Sequence, residues 1–511
     1  MAALLHPIDA LVVVLYLTGT TALGIRLGRS QRDSRDYFIA SHAIPSWAVL
    51  VSVVATETSA VTFISIPGLA YLGDFTFLQV AAGYIVGRCI VAYTLLPRYF
   101  EGDLVTAYAL LERRFGLSTR RFASIVFMVT RALADSVRVF ATAIPLALIL
   151  QSAVAPAAVK PVAISVLGVL TVIYTYHGGM RAVVWTDVLQ TGVYLVGAAA
   201  AIVLLGHAVP GGWSAIFAHA ADAGKLRVLD PGLTMSRPYT LAGGVIGGAF
   251  LAMASHGADQ LIVQRLLAAS SLRDARRALI GSGVAVFLQF AVFLTIGVGL
   301  YSVYDARSFS SPDAIFPTFI LHSMPPGLVG LIVAAILATT MSTHSGAINS
   351  LAAATTHDLY LPLTGHAATA PTTLRAGRLF TLAWGVLLTG GALLYRQQGT
   401  PVVTIALAIA SFTYGGLLGG FFLALWWRRA RQVDALLAMG VGIAAMSVVV
   451  FARQLAAVVP FAAPMLDPIA RITWPWYVLI GTTITLMTGI AASLTHPASV
   501  QDRAHAPGTV P

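Results

Sequence analysis

Long apolar runs broken by short polar loops dominate this chain. They fall at about 8–27, 46–70, 75–97, 122–152, 162–178, 184–206, 241–263, 278–303, 327–356, 376–396, 402–427, 434–456 and 475–495. A hydrocarbon layer about 30 Å thick needs about 20 apolar residues per helical crossing. The runs therefore predict an all-α polytopic membrane protein with roughly 13 transmembrane helices. No positive charge precedes the first run, while Arg26, Arg29, Arg32 and Arg35 follow it. It is also too long for the apolar part of a secretion signal, so it reads as a first helix entering from outside. Tracing alternate loops from there places most Lys and Arg on one side, which the positive-inside rule makes cytoplasmic. The expected topology has the N-terminus outside and the C-terminus inside.

Composition agrees with that pattern. The 511 residues are 58% hydrophobic and 10% charged, against roughly 25% charged in a soluble domain. Several soluble domains could not be coated by so few charges, and one membrane domain over residues 1–495 is the simpler organisation. The net charge of +11 raises the possibility of a nucleic-acid partner, but no basic stretch is interleaved with aromatics for stacking or phosphate contact. Orientation signal accounts for much of it. The single Cys excludes a disulfide framework and a Cys-based metal site. Two loops have their own organisation: 98–121 carries "TAYALLERRFG" and 207–240 carries "GGWSAIFAHAADAGKL", both read as surface helices. The runs "GGVIGG" and "GGLLGG" suit close helix packing. The polar tail 496–511 is assigned no function and lies on the cytoplasmic side.

Ionisable groups inside apolar runs cost several kcal/mol unless paired or hydrated, so each is a functional candidate. They are Glu57, Arg88, Arg131, Asp135, Arg138, Asp187, His256, Asp259 and His344. Glu57 lies in "VVATETSAVTFISIPG", where Thr, Ser, Pro and Gly interrupt the apolar pattern as in a broken helix. Unwound backbone at that depth lines a cavity or coordinates an ion; the bland reading is a proline kink. A second stretch, "AAILATTMSTHSGAINS", puts Thr339, Ser342 and Thr343 on one helix face. Neutral hard oxygens of that kind suit an alkali cation better than a transition metal, and interhelical hydrogen bonding is the competing account. Asp187, in "VVWTDVLQ", would bring a carboxylate near.

Glu57 and Arg88 lie almost equally far from the turn near Leu72 and Gly73, so an antiparallel hairpin brings them to the same depth. The expectation is a buried Glu57–Arg88 structural pair, with Glu57 a counter-ion rather than a proton carrier. On the fourth run, Asp135 lies between Arg131 and Arg138 at helical spacing. One Asp leaves one positive charge over, and an Arg fork suits a carboxylate.

Taken together, "DYFIASHAIPSW", "TETSAVTFISIPGLAY", "TAYALLERRFG", "HGGMRAVVWTDVLQ", "HGADQLIVQRLLAASSLRDAR" and "MSTHSGAINSLAAATTHDLY" resemble the sodium:solute symporter family in order and spacing. That family includes proline, sugar, sialic-acid and monocarboxylate cotransporters. The resemblance implies inverted five-helix repeats of the leucine-transporter type: 8–27 an extra first helix, 46–206 the first repeat, 241–427 the second, and 434–495 two C-terminal helices. It implies a sodium site made by backbone carbonyls of Ala55 and Thr58 with Thr339, Ser342 and Thr343. Asp187 matches an acidic position that some members combine with two adjacent Ser for another sodium; here that pair reads Ser345 and Gly346. One coupling ion is therefore expected. Positions that bind sugar hydroxyls in sugar-transporting members fall on Leu407 and Gln289, which disfavours a sugar. Arg138 falls near a carboxylate-binding Arg of the sialic-acid members. Glu57, Thr62, Gln79, Ser255, His256 and Gln289 are the remaining candidates for the substrate cavity.

The leading expectation is a sodium-coupled secondary active symporter that imports a small organic solute bearing a carboxylate, working by alternating access. Sodium, the solute and the lipid bilayer are the expected partners. No cofactor, nucleic acid or obligate protein partner is expected, and the compact loops favour a bacterial inner membrane. A proton-coupled transporter using Glu57 or His256, or a sensor that moves nothing, would share the fold. A membrane enzyme is disfavoured because no HExxH, GxSxG or P-loop occurs.

Overall fold

Backbone groups in lipid must be satisfied within each segment, and a helix does this without a neighbour. The computed structural model describes residues 6–28, 31–58, 60–102, 104–150, 154–305, 307–309, 312–395 and 402–496. Among them the architecture is helical, with one isolated bridge between Ile44 and Ala269. The principal helices are α1 (Pro7–Leu27), α2 (Ser46–Glu57), α3 (Ala60–Leu72), α4 (Leu78–Tyr93), α5 (Leu117–Leu150), α6 (Pro156–Ala208), α7 (Gly248–Gly257), α8 (Gln260–Leu267), α9 (Leu272–Tyr304), α10 (Leu328–Ala354), α11 (Pro371–Leu394), α12 (Val402–Trp426), α13 (Gln432–Val450) and α14 (Tyr477–Leu494). The tail beyond His496 lies outside the described residues.

Among the described residues, eight helices are long and apolar enough to cross a bilayer, and α2 with α3, bent by 64°, act as a ninth. The 13 apolar runs do not map one to one onto these. Runs 162–178 and 184–206 join as α6, a stretch of 53 residues broken at Gly179, whose φ is +52°. A side chain at Gly179 would also strike the Tyr37 carbonyl, so both conformation and space require glycine there. The run at 122–152 lies in α5, where charged side chains dilute the apolar content. The run at 241–263 divides into a π-helical turn at Gly243–Gly247, then α7, then α8 after a break at Asp259.

Helix α10 forms the axis of the molecule, buried at almost every position from Val329 to Ala354. It packs against α6, α5, α1 and α11, while α9 packs against α2, α3 and α4. Large apolar side chains such as Leu11, Leu15, Val203, Leu379 and Val386 remain exposed, as lipid-facing positions should. The glycine runs serve close approach. A Cβ on Gly83 would come 2.5 Å from the Gly244 carbonyl, and one on Gly415 would come 2.6 Å from Gly481 Cα.

Polar contacts close the two ends of the bundle. At one end Phe75 N donates to Arg227 O at 3.0 Å and Thr473 N to Met235 O at 2.9 Å, while Lys225 Nζ donates to Tyr71 O at 2.7 Å. The "GGWSAIFAHAADAGKL" segment folds there as a helix, Gly212–Asp222, with Ile216 and Ala220 buried. At the other end Asp358, fully buried, accepts from Thr106, Ser124 and Arg120. The "TAYALLERRFG" segment contributes the helix Ala109–Phe115. It is more enclosed than a surface helix, with Ala109, Leu111 and Phe115 buried.

Candidate functional site

Helix α2 stops at Glu57, and Thr58 takes an extended conformation with ψ 99°. A helix that stops inside the bundle leaves its last carbonyls outside the ladder. They face the hydroxyl stripe of α10: Thr343 Oγ1 lies 3.5 Å from Thr56 O. A small cavity at this junction is lined by Val54, Ala55, Thr58, Gln190, Thr191, Tyr194, Thr339 and Ser342. Four expected sodium ligands, Ala55, Thr58, Thr339 and Ser342, thus come together across two helices. Thr343 adjoins them, and Ser345 turns its hydroxyl back to Ser342 O at 3.0 Å.

The donor set fits a sodium ion. Each hydroxyl proton is already committed: Thr339 to Ile336 O at 2.8 Å, Thr343 to Thr339 O at 3.0 Å, Thr58 to Val54 O at 2.8 Å and Ser342 to Asp187 Oδ1 at 2.6 Å. Lone pairs remain for a cation, and neutral oxygens of this type match the hard alkali ions.

Asp187 has a different partner from the one its sequence context suggests. Its carboxylate accepts from Ser52 as well as Ser342 and forms an ion pair with Arg265 at 3.3 Å, both side chains fully buried. Arg265 also donates from Nε to Ser52 Oγ at 3.0 Å and from Nη1 to Leu261 O at 2.9 Å. The guanidinium fills the space beside Gly346, where a Cβ would strike Nη2 and come within 2.9 Å of Nη1. The space that a side chain at position 346 would need is therefore occupied by a tethered cation. Arg265 is not among the residues singled out from the sequence, because its distance from Asp187 along the chain leaves no local signal.

The substrate candidates do not form one cluster. Arg88, fully buried, forms an ion pair with Glu57 and donates to Ser282 Oγ at 2.6 Å. His256 Nε2 lies 3.6 Å from the Glu57 carboxylate, and Ser255 Oγ lies 2.8 Å from His256 Nδ1. Gln289 hydrogen-bonds Thr58 at 2.8 Å, so it braces the cavity at the junction of α2 and α10. Gln79 is engaged at the 72–77 end: Nε2 donates to Tyr239 O at 2.8 Å and Oε1 accepts from Asp230 N at 3.3 Å. Thr62 lies in the first turns of α3. His344 is buried in α10 with neither ring nitrogen hydrogen-bonded.

Arg138 sits on a second cavity, lined also by Phe127, Thr130, Arg131, Ala134, Asp259, Thr413, Tyr414 and Leu417. It contacts Asp135 at 3.3 Å and is 27% exposed. The surplus positive charge expected on α5 is not present. Asp259, from the break between α7 and α8, pairs with Arg131 and accepts from Tyr414 at 2.7 Å, giving two Asp to two Arg. Asp259 also caps α8 through Leu261 N at 2.9 Å, a helix-end role.

A broken helix facing a hydroxyl-rich helix, inside a bundle of this topology, defines a cation-coupled membrane transporter. The model of the sodium:solute symporter family matches residues 37–442, and the chain belongs to that family. It is 31% identical over 436 residues to the sodium/sialic acid symporter of Aliivibrio fischeri, covering 84% of this chain and 85% of that one. It is 28% identical to the human sodium-coupled monocarboxylate transporter 1, over 85% and 72% of the two chains. Among solved structures, a substrate-bound outward-open sodium-coupled sialic acid symporter superposes with a TM-score of 0.83 at 27% identity, covering 97% and 99%.

Proposed function

We propose that this protein is a sodium-coupled symporter that imports a small carboxylate-bearing solute by alternating access between two inverted repeats, 46–206 and 241–427. The observation that carries sodium coupling is the cavity where Ala55 and Thr58 meet Thr339 and Ser342, whose hydroxyl protons are spent elsewhere. Sodium bound there holds α2 against α10. A cation that stabilises one arrangement of these helices better than the other shifts the conformational equilibrium by that difference and no more. Solute that prefers the same arrangement is then bound more tightly, and the coupling is reciprocal.

The carboxylate reading rests on Arg138 at a cavity with hydroxyl neighbours, and on two relatives whose named substrates are carboxylates. The reading of a single coupling ion is supported by Gly346, which lacks a hydroxyl, and by Arg265, which supplies the positive charge beside Asp187. We further assign the protein to a bacterial inner membrane, on its compact loops and its bacterial relatives, with the N-terminus outside, on the distribution of Lys and Arg.

The test is a thermal-shift screen of the purified protein against sialic acid, short monocarboxylates, amino acids and neutral sugars, each in sodium and in potassium. A ligand that binds the native state raises its apparent stability. A carboxylate effective only with sodium supports the proposal. Stabilisation that ignores sodium but follows pH would instead favour proton coupling.

A further inference from the structure

Three neighbouring helices carry apolar stripes toward the lipid, and each stripe ends in a basic or imidazole side chain at the same end of the bundle. On α1 the exposed column of Leu11, Leu15 and Ala22 ends at Arg26. On α6 the exposed Val169 and half-buried Ile173 lead to the exposed His177, and on α11 Val386, Leu382 and Leu379 lead to the exposed Arg375. The three ends adjoin. A Cβ on Gly28, just past α1, would strike the His177 carbonyl. The buried Tyr37 hydroxyl lies 3.2 Å from Thr175 O of α6 and 3.0 Å from Thr381 Oγ1 of α11. Arg378, one turn from Arg375, lies 5.9 Å from the centre of the Tyr37 ring and donates from Nη2 to Gln31 Oε1 at 3.2 Å.

Orientation of the chain accounts for exposed arginines at a helix end, but not for buried donors left unpaired. Arg378 Nε and Gln31 Nε2 are both buried without an acceptor. Buried polar groups are normally hydrogen-bonded, and two spare donors on adjoining side chains point to an acceptor from outside the chain. The acidic groups of the connecting segment are engaged otherwise. Asp33 accepts from Asp36 N at 2.8 Å, while Asp36 accepts from Arg32 N at 3.3 Å and faces Arg181 at 4.0 Å.

We propose that the ends of α1, α6 and α11 around Arg26, His177, Arg375 and Arg378 bind the phosphate of an anionic phospholipid, whose acyl chains lie along the three apolar stripes. Guanidinium forks match phosphate oxygens, and basic pockets between membrane helices hold anionic headgroups. The stripes favour a lipid over free phosphate, because they place acyl-chain contacts directly beside the charges. The bound lipid ties α1 to α11 across α6, whichever ion or solute the protein carries.

The test titrates the full chain, purified in detergent, with phosphatidylglycerol, phosphatidylcholine or potassium phosphate at constant ionic strength, reading the melting temperature. Phosphatidylglycerol is expected to raise it, with phosphatidylcholine and phosphate well behind. In Arg375→Gln/Arg378→Gln the phosphatidylglycerol midpoint should rise about tenfold or more. Arg453→Gln/Arg471→Gln, which removes the same charge at the opposite end of the bundle, should titrate as wild type. Equal stabilisation by phosphatidylcholine, or by inorganic phosphate alone, would overturn the assignment. So would a double variant that keeps the wild-type midpoint, or a control variant that loses it. Arg375→Gln, at an exposed position, is judged by the same readings if the double variant does not fold.

Discussion

Asp187 and Arg265, 78 residues apart in sequence, form a fully buried ion pair at 3.3 Å beside the hydroxyl stripe of α10. Removing one partner of such a pair strands the other charge, typically at about 3–5 kcal/mol. Arg265→Leu is therefore expected to lower the melting temperature sharply, and Asp187→Asn combined with it to recover part of the loss. Additive effects in that double variant would mean that the two residues act independently.

Gly346→Ser bears on the same pair from the other side. The added side chain meets the Arg265 guanidinium, so the expected outcome is lower stability with sodium dependence still hyperbolic. A sigmoidal sodium dependence in that variant would show that a second ion site had been restored and that Arg265 yields its place.

Loss of one hydroxyl ligand should weaken sodium without harming the fold. Thr343→Ala is expected to raise the sodium concentration for half-maximal uptake by several-fold to about tenfold, equivalent to about 1 kcal/mol or a little more. The hydroxyl bonds only the backbone within reach, so the melting temperature in potassium should hardly move. Unchanged sodium dependence would remove Thr343 from the site.

Arg138 provides the corresponding test for the solute. Arg138→Gln keeps the polar stem but loses the charged fork, and the expected result is a KM for the carboxylate solute raised tenfold or more at saturating sodium. Asp135 keeps Arg131 at 3.6 Å when Arg138 is replaced, so a reduced melting temperature but a folded protein is expected. A variant with wild-type KM would exclude Arg138 from the carboxylate contact.

Asp74, in the turn between α3 and α4, ties that turn to the segment carrying Arg227. Burial tends to raise its carboxyl, but hydrogen bonds from the Thr76 hydroxyl and amide and from Arg227 outweigh this and hold it below the ordinary range. A depressed folded pKa gives stability that is present above the unfolded value and lost as pH falls through the folded one. The tether should therefore persist at mildly acidic pH and fail only below about pH 4. Asp74→Asn should weaken it at neutral pH. Proteolysis of the 223–241 segment at pH 5 and pH 7 measures this: equal protection in wild type and faster cleavage in Asp74→Asn are expected.

The sequence by itself determined the membrane character, the broken helix at 57–60 and the hydroxyl stripe of α10, because hydropathy and helical periodicity act over neighbouring residues. It also brought Glu57 and Arg88 within reach of each other, since a short hairpin fixes their relative depth. Tertiary structure alone decided the partners of the remaining charges. Arg265 reaches Asp187, and Asp259 reaches Arg131, across helix contacts that no local pattern specifies. Gln79 is held by the segment near Tyr239 rather than opening onto the ion cavity, because a side chain's free hydrogen bonds go to whatever backbone the fold sets beside it. Buried charges and amides must be satisfied, and only the assembled bundle determines which groups do so.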